Sequence, residues 1–447
     1  MRSDQDTAEP TTRSAETGAR APIVCMFVYN NMMHDARVRK EARTLGGAGY
    51  GVTVLSVIEP GLTPKEEQVE GFRILRINRS ILGISRQQIA TRISPSRPSA
   101  RRDVAEATKK PGSVRRSRIA ALLMAASRLP FYPLRRVVVF VRFVSAAVRT
   151  RADVYHAHDL NTLLMAWTAS RLRRTPLIYD THEVATNRAD MYFRWWAALL
   201  EKTLVRRAER VICTTATRAE FTRKRYDIPM PIVLRNLPAY VEPQPSSLMY
   251  DALGLPASAK IVLYQGGIQP QRGLEQLIAA APEIEGGVVV FLGSGRLKPK
   301  LVERAAELGL EGKVYFHEAV PVGELPQWTA GAYVGLQILQ NACFNHYSSL
   351  SNKLLEYLMA GVPVIANDLP EMRRVVEDTS AGVLIDASDP GAIAQAVNAI
   401  LADPERREQM SQAAKASRKA YSWEREEHIL TDLYAGLLPP GQDAARV

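Results

Sequence analysis

SNKLLEYLMAGVPVIAND, residues 351–368, changes its periodicity halfway along. Leu354, Leu355, Leu358 and Met359 recur at the 3.6-residue spacing of one helix face, and Lys353, Glu356, Tyr357 and Ala360 fall on the opposite arc. Gly361 and Pro363 then punctuate, and Val362 to Ala366 is a short apolar run suited to a buried parallel strand. Helix, tight turn and strand are therefore predicted, the repeating unit of a parallel α/β sheet. Lys353, in the first turn beside free N–H groups at the positive end of the helix dipole, suits a diphosphate. Glu356, one turn later, suits ribose hydroxyls. A solvated Lys353–Glu356 ion pair at i,i+3, worth roughly a few tenths of a kcal/mol, is the simpler alternative. A capping box is excluded, because Lys353 stands three residues before Glu356 and cannot cap.

Outward from this stretch the same unit repeats. Apolar runs at 23–28, 52–57, 72–77, 154–157, 177–179, 211–214 and 232–234 alternate with helical patterns and predict one doubly wound domain. A second series runs through 261–264, 288–292, 314–316, 334–336, 362–366 and 382–385. The expected organisation is a disordered tail over 1–21, an N-terminal Rossmann-like domain over 22–236 with a basic insertion at 84–151, and a linker at 237–256. A C-terminal Rossmann-like domain over 257–420 and a last helix over 421–437, returning to the first domain, complete it. Open sheets of this kind bind ligands at the carboxyl ends of their strands.

Composition bounds the chain without identifying it. Its 447 residues, 46% hydrophobic and 23% charged, suffice for more than one core. Cys25, Cys213 and Cys343 are odd in number and far apart, which excludes a full disulfide framework and fits a reducing cytosol. No run reaches the roughly 18 apolar residues of a membrane span. Between Arg86 and Arg151 stand 16 Lys or Arg against Asp103 and Glu106, so the net +12 of the chain resides in this segment. Its first half, rich in Ser, Pro and Arg, reads as a mobile loop, and its second half mixes apolar runs with Arg and is interrupted at Pro130 and Pro133. An anionic membrane surface is the expected partner, with a solvated insertion covering the sheet as the alternative. No nucleic-acid module accompanies it.

Residues 351–368 resemble the donor-sugar motif of retaining glycosyltransferases of the GT-B fold, family 4. IVCMFVYNNMMHDARVRKEARTL (23–45), GYGVTVLSV (49–57), DVYHAHDLNTL (153–163), PLIYDTHEV (176–184), LYQGGIQPQRGLEQLI (263–278), FLGSGRLKPKL (291–301), KVYFHEAVPVGELPQWTAGAYVGL (313–336) and SWEREEHILTDLYAGLL (422–438) resemble further family segments in the right order. The resemblance implies two Rossmann-like domains facing a central cleft. It places the ribose at Glu356, the diphosphate near Lys353, and His158 near the donor sugar, where it assists the reacting centre. Gly266, Gly267, Arg272 and Gly293 follow strands as phosphate-approaching loops, and Asn345, His346, Ser348 and Asn352 complete the donor side. Catalytic roles are expected for His158, Glu356, Lys353 and Arg272. Asp35, Arg37, His182 and Glu183 are the acceptor-side candidates, although Asp35 is equally suited to cap the following helix.

Three positions depart from the family. Gly267 stands where Arg is usual, with Arg272 where Lys is usual, and Ser348 replaces the first Glu of the E-x7-E pattern that ends at Glu356. FLGSGRLK lacks the third glycine of a dinucleotide fingerprint, which leaves a nicotinamide enzyme unsupported. The expected activity is transfer of a sugar from a nucleoside-diphosphate sugar to an acceptor with retention, in polysaccharide or glycolipid assembly. No metal or other cofactor is expected, since the one D-x-D is Asp4-Gln5-Asp6 in the tail. The expected place is cytoplasmic, peripheral on the membrane, with a lipid-linked acceptor. A sugar-nucleotide epimerase and an inactive nucleotide-sugar binding protein remain the alternatives.

Overall fold

The computed structural model describes residues 20–33, 35–80, 131–184 and 194–438. Most of the basic segment, residues 84–130, lies outside them. The first sheet is built from β1 (Ile23–Phe27), β2 (Gly51–Val57), β3 (Glu66–Val69), β4 (Phe72–Ile77), β5 (Val154–His158), β6 (Leu177–Thr181), β7 (Arg210–Cys213) and β8 (Ile232–Val233). Its order is β3-β4-β2-β1-β5-β6-β7-β8, parallel throughout except for the edge strand β3. The second sheet takes β9 (Ile261–Gln265), β10 (Val288–Leu292), β11 (Val314–His317), β12 (Val334–Gln337), β13 (Val364–Asn367) and β14 (Gly382–Ile385) in the order β11-β10-β9-β12-β13-β14. Both are doubly wound, and each reverses direction at a switch point, between β1 and β5 and between β9 and β12, where such sheets open a crevice.

Helices cover both faces, so β5 and β6 are buried at every position. His156, His158 and Asp180 are thereby carried into the interior, where polar groups need partners. Cys25 and Cys213 are buried free thiols in β1 and β7, and burial pushes both up to about 12, which keeps them protonated. The helix Trp423–Leu437 lies on the helix Ala36–Gly47: Trp423 Nε1 donates to Thr44 Oγ1 at 3.0 Å, and His156 Nδ1 meets the Tyr434 hydroxyl at 2.9 Å. This helix thus packs over the first domain.

Four expectations need correction. Tyr357 belongs to the core side of its helix, not the polar side: its ring fills the space left by Gly335, where a Cβ would approach it to 2.5 Å, and its hydroxyl donates to Leu263 O at 3.0 Å. Pro133 does not interrupt the second half of the basic segment, because it sits in the first turn of the helix Phe131–Thr150, where its missing N–H costs nothing. Val139, Phe143 and Ala147 of that helix are buried against the first sheet, so part of the predicted insertion is core. The strand at 362–366 begins only at Val364, after Gly361 ends the preceding helix at φ +72°.

Candidate functional site

The two switch points face one another across a cavity of about 610 Å³. The first sheet contributes Asp35 and Arg37 from the loop and helix after β1, His182 and Glu183 after β6, and Arg218 after β7. Arg272 after β9 and residues 349–353 after β12 close it from the second sheet. Of the sequence candidates, Asp35, Arg37, His182, Glu183, Arg272, Asn352 and Lys353 line the cavity together.

Lys353 enters from the first turn of the helix Asn352–Ala360, whose N-cap Ser351 makes no side-chain cap, leaving first-turn N–H groups open. Its stem crosses Gly266: a Cβ there would lie 2.7 Å from Lys353 Cε, and Gly266 adopts φ +108°. Gly293 approaches the same residue, since its Cβ would meet Gly266 O at 2.1 Å. These two glycines are steric requirements for the cation's path. At Gly267 the nearest side-chain atom to a Cβ is Gln269 Cγ at 3.7 Å, so glycine there is a chemical difference and not a packing need. The Lys353 ammonium stands 5.4 Å from the centre of the Tyr264 ring. Burial, and then the Arg272 charge, pull Lys353 down to about 8, against the opposing pull of Glu356. Glu356, one turn behind, accepts a hydrogen bond from Gln265 Nε2 at 2.6 Å, and burial raises its carboxyl.

His158 does not reach the cavity wall. It is buried, with Nδ1 3.2 Å from His182 Nε2, and its place on the wall is taken by His182. His182 stands between two carboxylates, Nε2 3.4 Å from Asp180 Oδ2 and Nδ1 3.7 Å from Asp159 Oδ2. Burial opposes its charge, but Asp180 and Asp159 outweigh it and push His182 up to about 9, so the cavity sees an imidazolium at neutral pH. Behind it Arg37, buried, pairs with Glu41 at 2.9 Å and Asp180 at 2.7 Å. Burial would raise Asp180, but Arg37 and His182 hold it well below its ordinary value. Glu41, His156, His158 and Asp180 bring their oxygen and nitrogen atoms within 4.8 Å of one another, and the Arg37 guanidinium lies on both carboxylates, where a bound cation would have to sit. Asp35 caps its helix by accepting from Val38 N at 3.0 Å.

The loop before Lys353 is engaged across the cleft. Asn345 exchanges both amide hydrogen bonds with the Val184 backbone, and Ser348 Oγ donates to Phe344 O and accepts from Arg218 Nε at 3.0 Å. His346 Nδ1 is 3.0 Å from Gln340 O. Arg218, Thr214 and Thr215 were not singled out from the sequence, yet all line the cavity. Arg218 stands in the first turn of the helix Ala216–Tyr226, and a first helical turn is the feature that drew attention to Lys353.

Residues 249–417 match the family described as glycosyl transferases group 1, and residues 35–235 match the glycosyl transferase 4-like domain. The D-inositol 3-phosphate glycosyltransferase of Thermobispora bispora is 27% identical over 326 residues, which cover 66% of this chain and 75% of that protein. Its counterpart in Xylanimonas cellulosilytica is 26% identical, over 63% and 72% respectively. In fold, the chain is similar to sucrose-phosphate synthase from Thermosynechococcus elongatus (TM-score 0.71, 18% identity, 93% of this chain and 99% of that one). It is also similar to Anabaena HepE, solved with UDP-glucose (TM-score 0.65, 14% identity, 93% and 100%).

Proposed function

As a glycosyltransferase of the GT-B fold, with a 4-like first half and a group 1 second half, this chain, we propose, moves a sugar from a nucleoside-diphosphate donor to a hydroxyl acceptor with retention at the anomeric carbon. The observation that carries this reading is the convergence of Lys353, Arg272 and an uncapped helix N-terminus on one cavity wall, with Glu356 one turn behind. A diphosphate leaving group gathers negative charge as the glycosidic bond breaks, and fixed cations in a partly dry cleft stabilise that charge most where it develops. Glu356 holds the ribose. His182, charged and facing the cavity from the other domain, is placed to donate a hydrogen bond to the sugar or the departing phosphate. The departing phosphate oxygen accepts the acceptor's proton, so no carboxylate base is invoked. HepE, which binds UDP-glucose, makes uridine the first base to test.

On the same reading the acceptor belongs to glycolipid or polysaccharide assembly at a membrane surface and no metal is required; the support for the surface is the 16 Lys or Arg between Arg86 and Arg151. Among the described residues no helix is long and apolar enough to cross a membrane. Arg115, Arg116 and Arg118, which belong to the basic segment expected to meet anionic lipid, lie outside the described residues. One experiment covers these points: nucleotide release from UDP-, GDP- and ADP-sugars in EDTA, with membrane extract or without acceptor, alongside sedimentation with anionic and neutral vesicles. Release that needs acceptor, persists in EDTA and accompanies salt-sensitive binding to anionic vesicles is expected. Release by donor alone would favour the epimerase, a need for Mn²⁺ would contradict the metal-free reading, and equal sedimentation with both vesicles would contradict docking.

A further inference from the structure

Arg218 is only 7% exposed and lines the cavity, and its hydrogen bonds all go to uncharged oxygens. Nη1 donates to Thr214 Oγ1 at 2.7 Å and to His182 O, Nη2 donates to Asn345 O at 3.1 Å, and Nε donates to Ser348 Oγ at 3.0 Å. No carboxylate among the described residues lies within ion-pair distance of it, whereas Arg37, its neighbour on the wall, has two. Glu183, on the same cavity lining, supports the Arg218 charge most among the carboxylates but forms no ion pair with it; a buried guanidinium outside an ion pair is costly, and neutral side chains can make the same hydrogen bonds to carbonyl and hydroxyl oxygens. The position that touches Nε is the one where a glutamate is expected and Ser348 stands. A carboxylate at 348 would neutralise Arg218; a serine leaves its charge to the cavity.

Among the described residues, three cations outside ion pairs, Lys353, Arg272 and Arg218, line the cavity together with the carboxylates Asp35, which caps its own helix, and Glu183, while a donor diphosphate brings two negative charges. On the reading that Lys353 and Arg272 hold that diphosphate, we propose that Arg218 binds a further anionic group, a carboxylate or phosphate, carried by the substrate beside it. Four of its five N–H groups are engaged, which leaves one on Nη2 for a charge-assisted hydrogen bond that either oxyanion can accept. Two sources share this chemistry: a hexuronate donor, whose carboxylate replaces the neutral hydroxymethyl, and a phosphorylated acceptor.

Calorimetric titration of the full chain separates them. In the first arm UDP-glucuronate is compared with UDP-glucose; in the second, inorganic phosphate is added to protein saturated with UDP. A preference of about tenfold or more for UDP-glucuronate, lost in Arg218→Gln, assigns the carboxylate to the donor. Phosphate binding to the UDP-loaded wild type, absent in Arg218→Gln, assigns the anion to the acceptor. Phe221→Ala serves as control, because Phe221 packs against Phe344 across the same interdomain contact, with tilted rings whose centres are 4.3 Å apart, and does not line the cavity. Equal behaviour of wild type and Arg218→Gln in both arms overturns the proposal, as does equal loss in Phe221→Ala, which would make Arg218 a domain tie. Failure of UDP itself to bind would instead strike at the donor site, and the Arg218 proposal would fall with it.

Discussion

Lys353→Ala lowers the affinity for the nucleoside diphosphate about 100-fold while leaving the fold intact. Removing one partner of a desolvated charge pair costs about 2–5 kcal/mol, and about 2.7 kcal/mol is a factor of 100. The fold survives because the Lys353 head lines the cavity and makes no ion pair with the described residues, whereas its helix is held by Leu354, Leu355, Tyr357 and Leu358. The wild type also carries a pH signature. Lys353 is depressed to about 8, so its ammonium is present below that pH and is lost above it. Affinity should therefore fall by up to about tenfold per unit as pH rises above about 8, with a proton taken up on binding near that pH. Lys353→Arg, charged throughout, flattens the profile. Calorimetry between pH 7 and 9.5 checks both; a Lys353→Ala protein binding within threefold of wild type would remove Lys353 from the site.

Asp180→Ala destabilises the protein by about 3–5 kcal/mol, because it strands the buried Arg37 guanidinium and the His182 imidazolium that share Asp180 Oδ2. The first domain should melt roughly 6–20 °C lower, followed by circular dichroism or scanning calorimetry. The pH window follows from the signs. Asp180 is held well below 3.8, so its contribution is present above that value and lost as pH falls through the depressed one. His182 is raised from 6.5 to about 9, so its contribution is full below 6.5 and lost as pH rises through about 9. The difference between wild type and Asp180→Ala should be largest between about pH 4 and 6.5 and shrink above 9. A mutant within about 1 kcal/mol of wild type would show that Glu41 alone satisfies Arg37.

How much of this was legible follows from the kind of signal each residue carries. Parallel strands announce themselves because burial on both faces demands apolar runs, which is why β1, β9 and β10 stand out in the sequence; the edge strand Glu66–Val69, polar and antiparallel, carries no such run. Lys353 and Glu356 were readable because their helix is short, amphipathic and bracketed by punctuation. Tyr357 was misassigned because 100° per residue places it at the border of the polar arc, and only the space above Gly335 draws it inward. His158 and His182 look alike in sequence, each at a strand end. The sheet decides between them: His158 is the last residue of a strand buried at every position, while His182 lies one residue past β6 in the loop that faces the cleft. Arg218 depends on a contact across 130 residues of sequence, which no local pattern encodes.

The claim that a nucleotide lies along the Asn352–Ala360 helix, phosphates at Lys353 and ribose at Glu356, is tested most directly by a titration cycle. Whichever of UDP, GDP and ADP binds most tightly is compared with its 2′,3′-dideoxy analogue, on the wild type and on Glu356→Ala. The wild type should lose about tenfold or more in affinity for the dideoxy compound, and Glu356→Ala should bind both equally and weakly, since its ribose partner is gone. Undiminished discrimination in Glu356→Ala, or none in the wild type, would contradict the placement of the nucleotide on this helix.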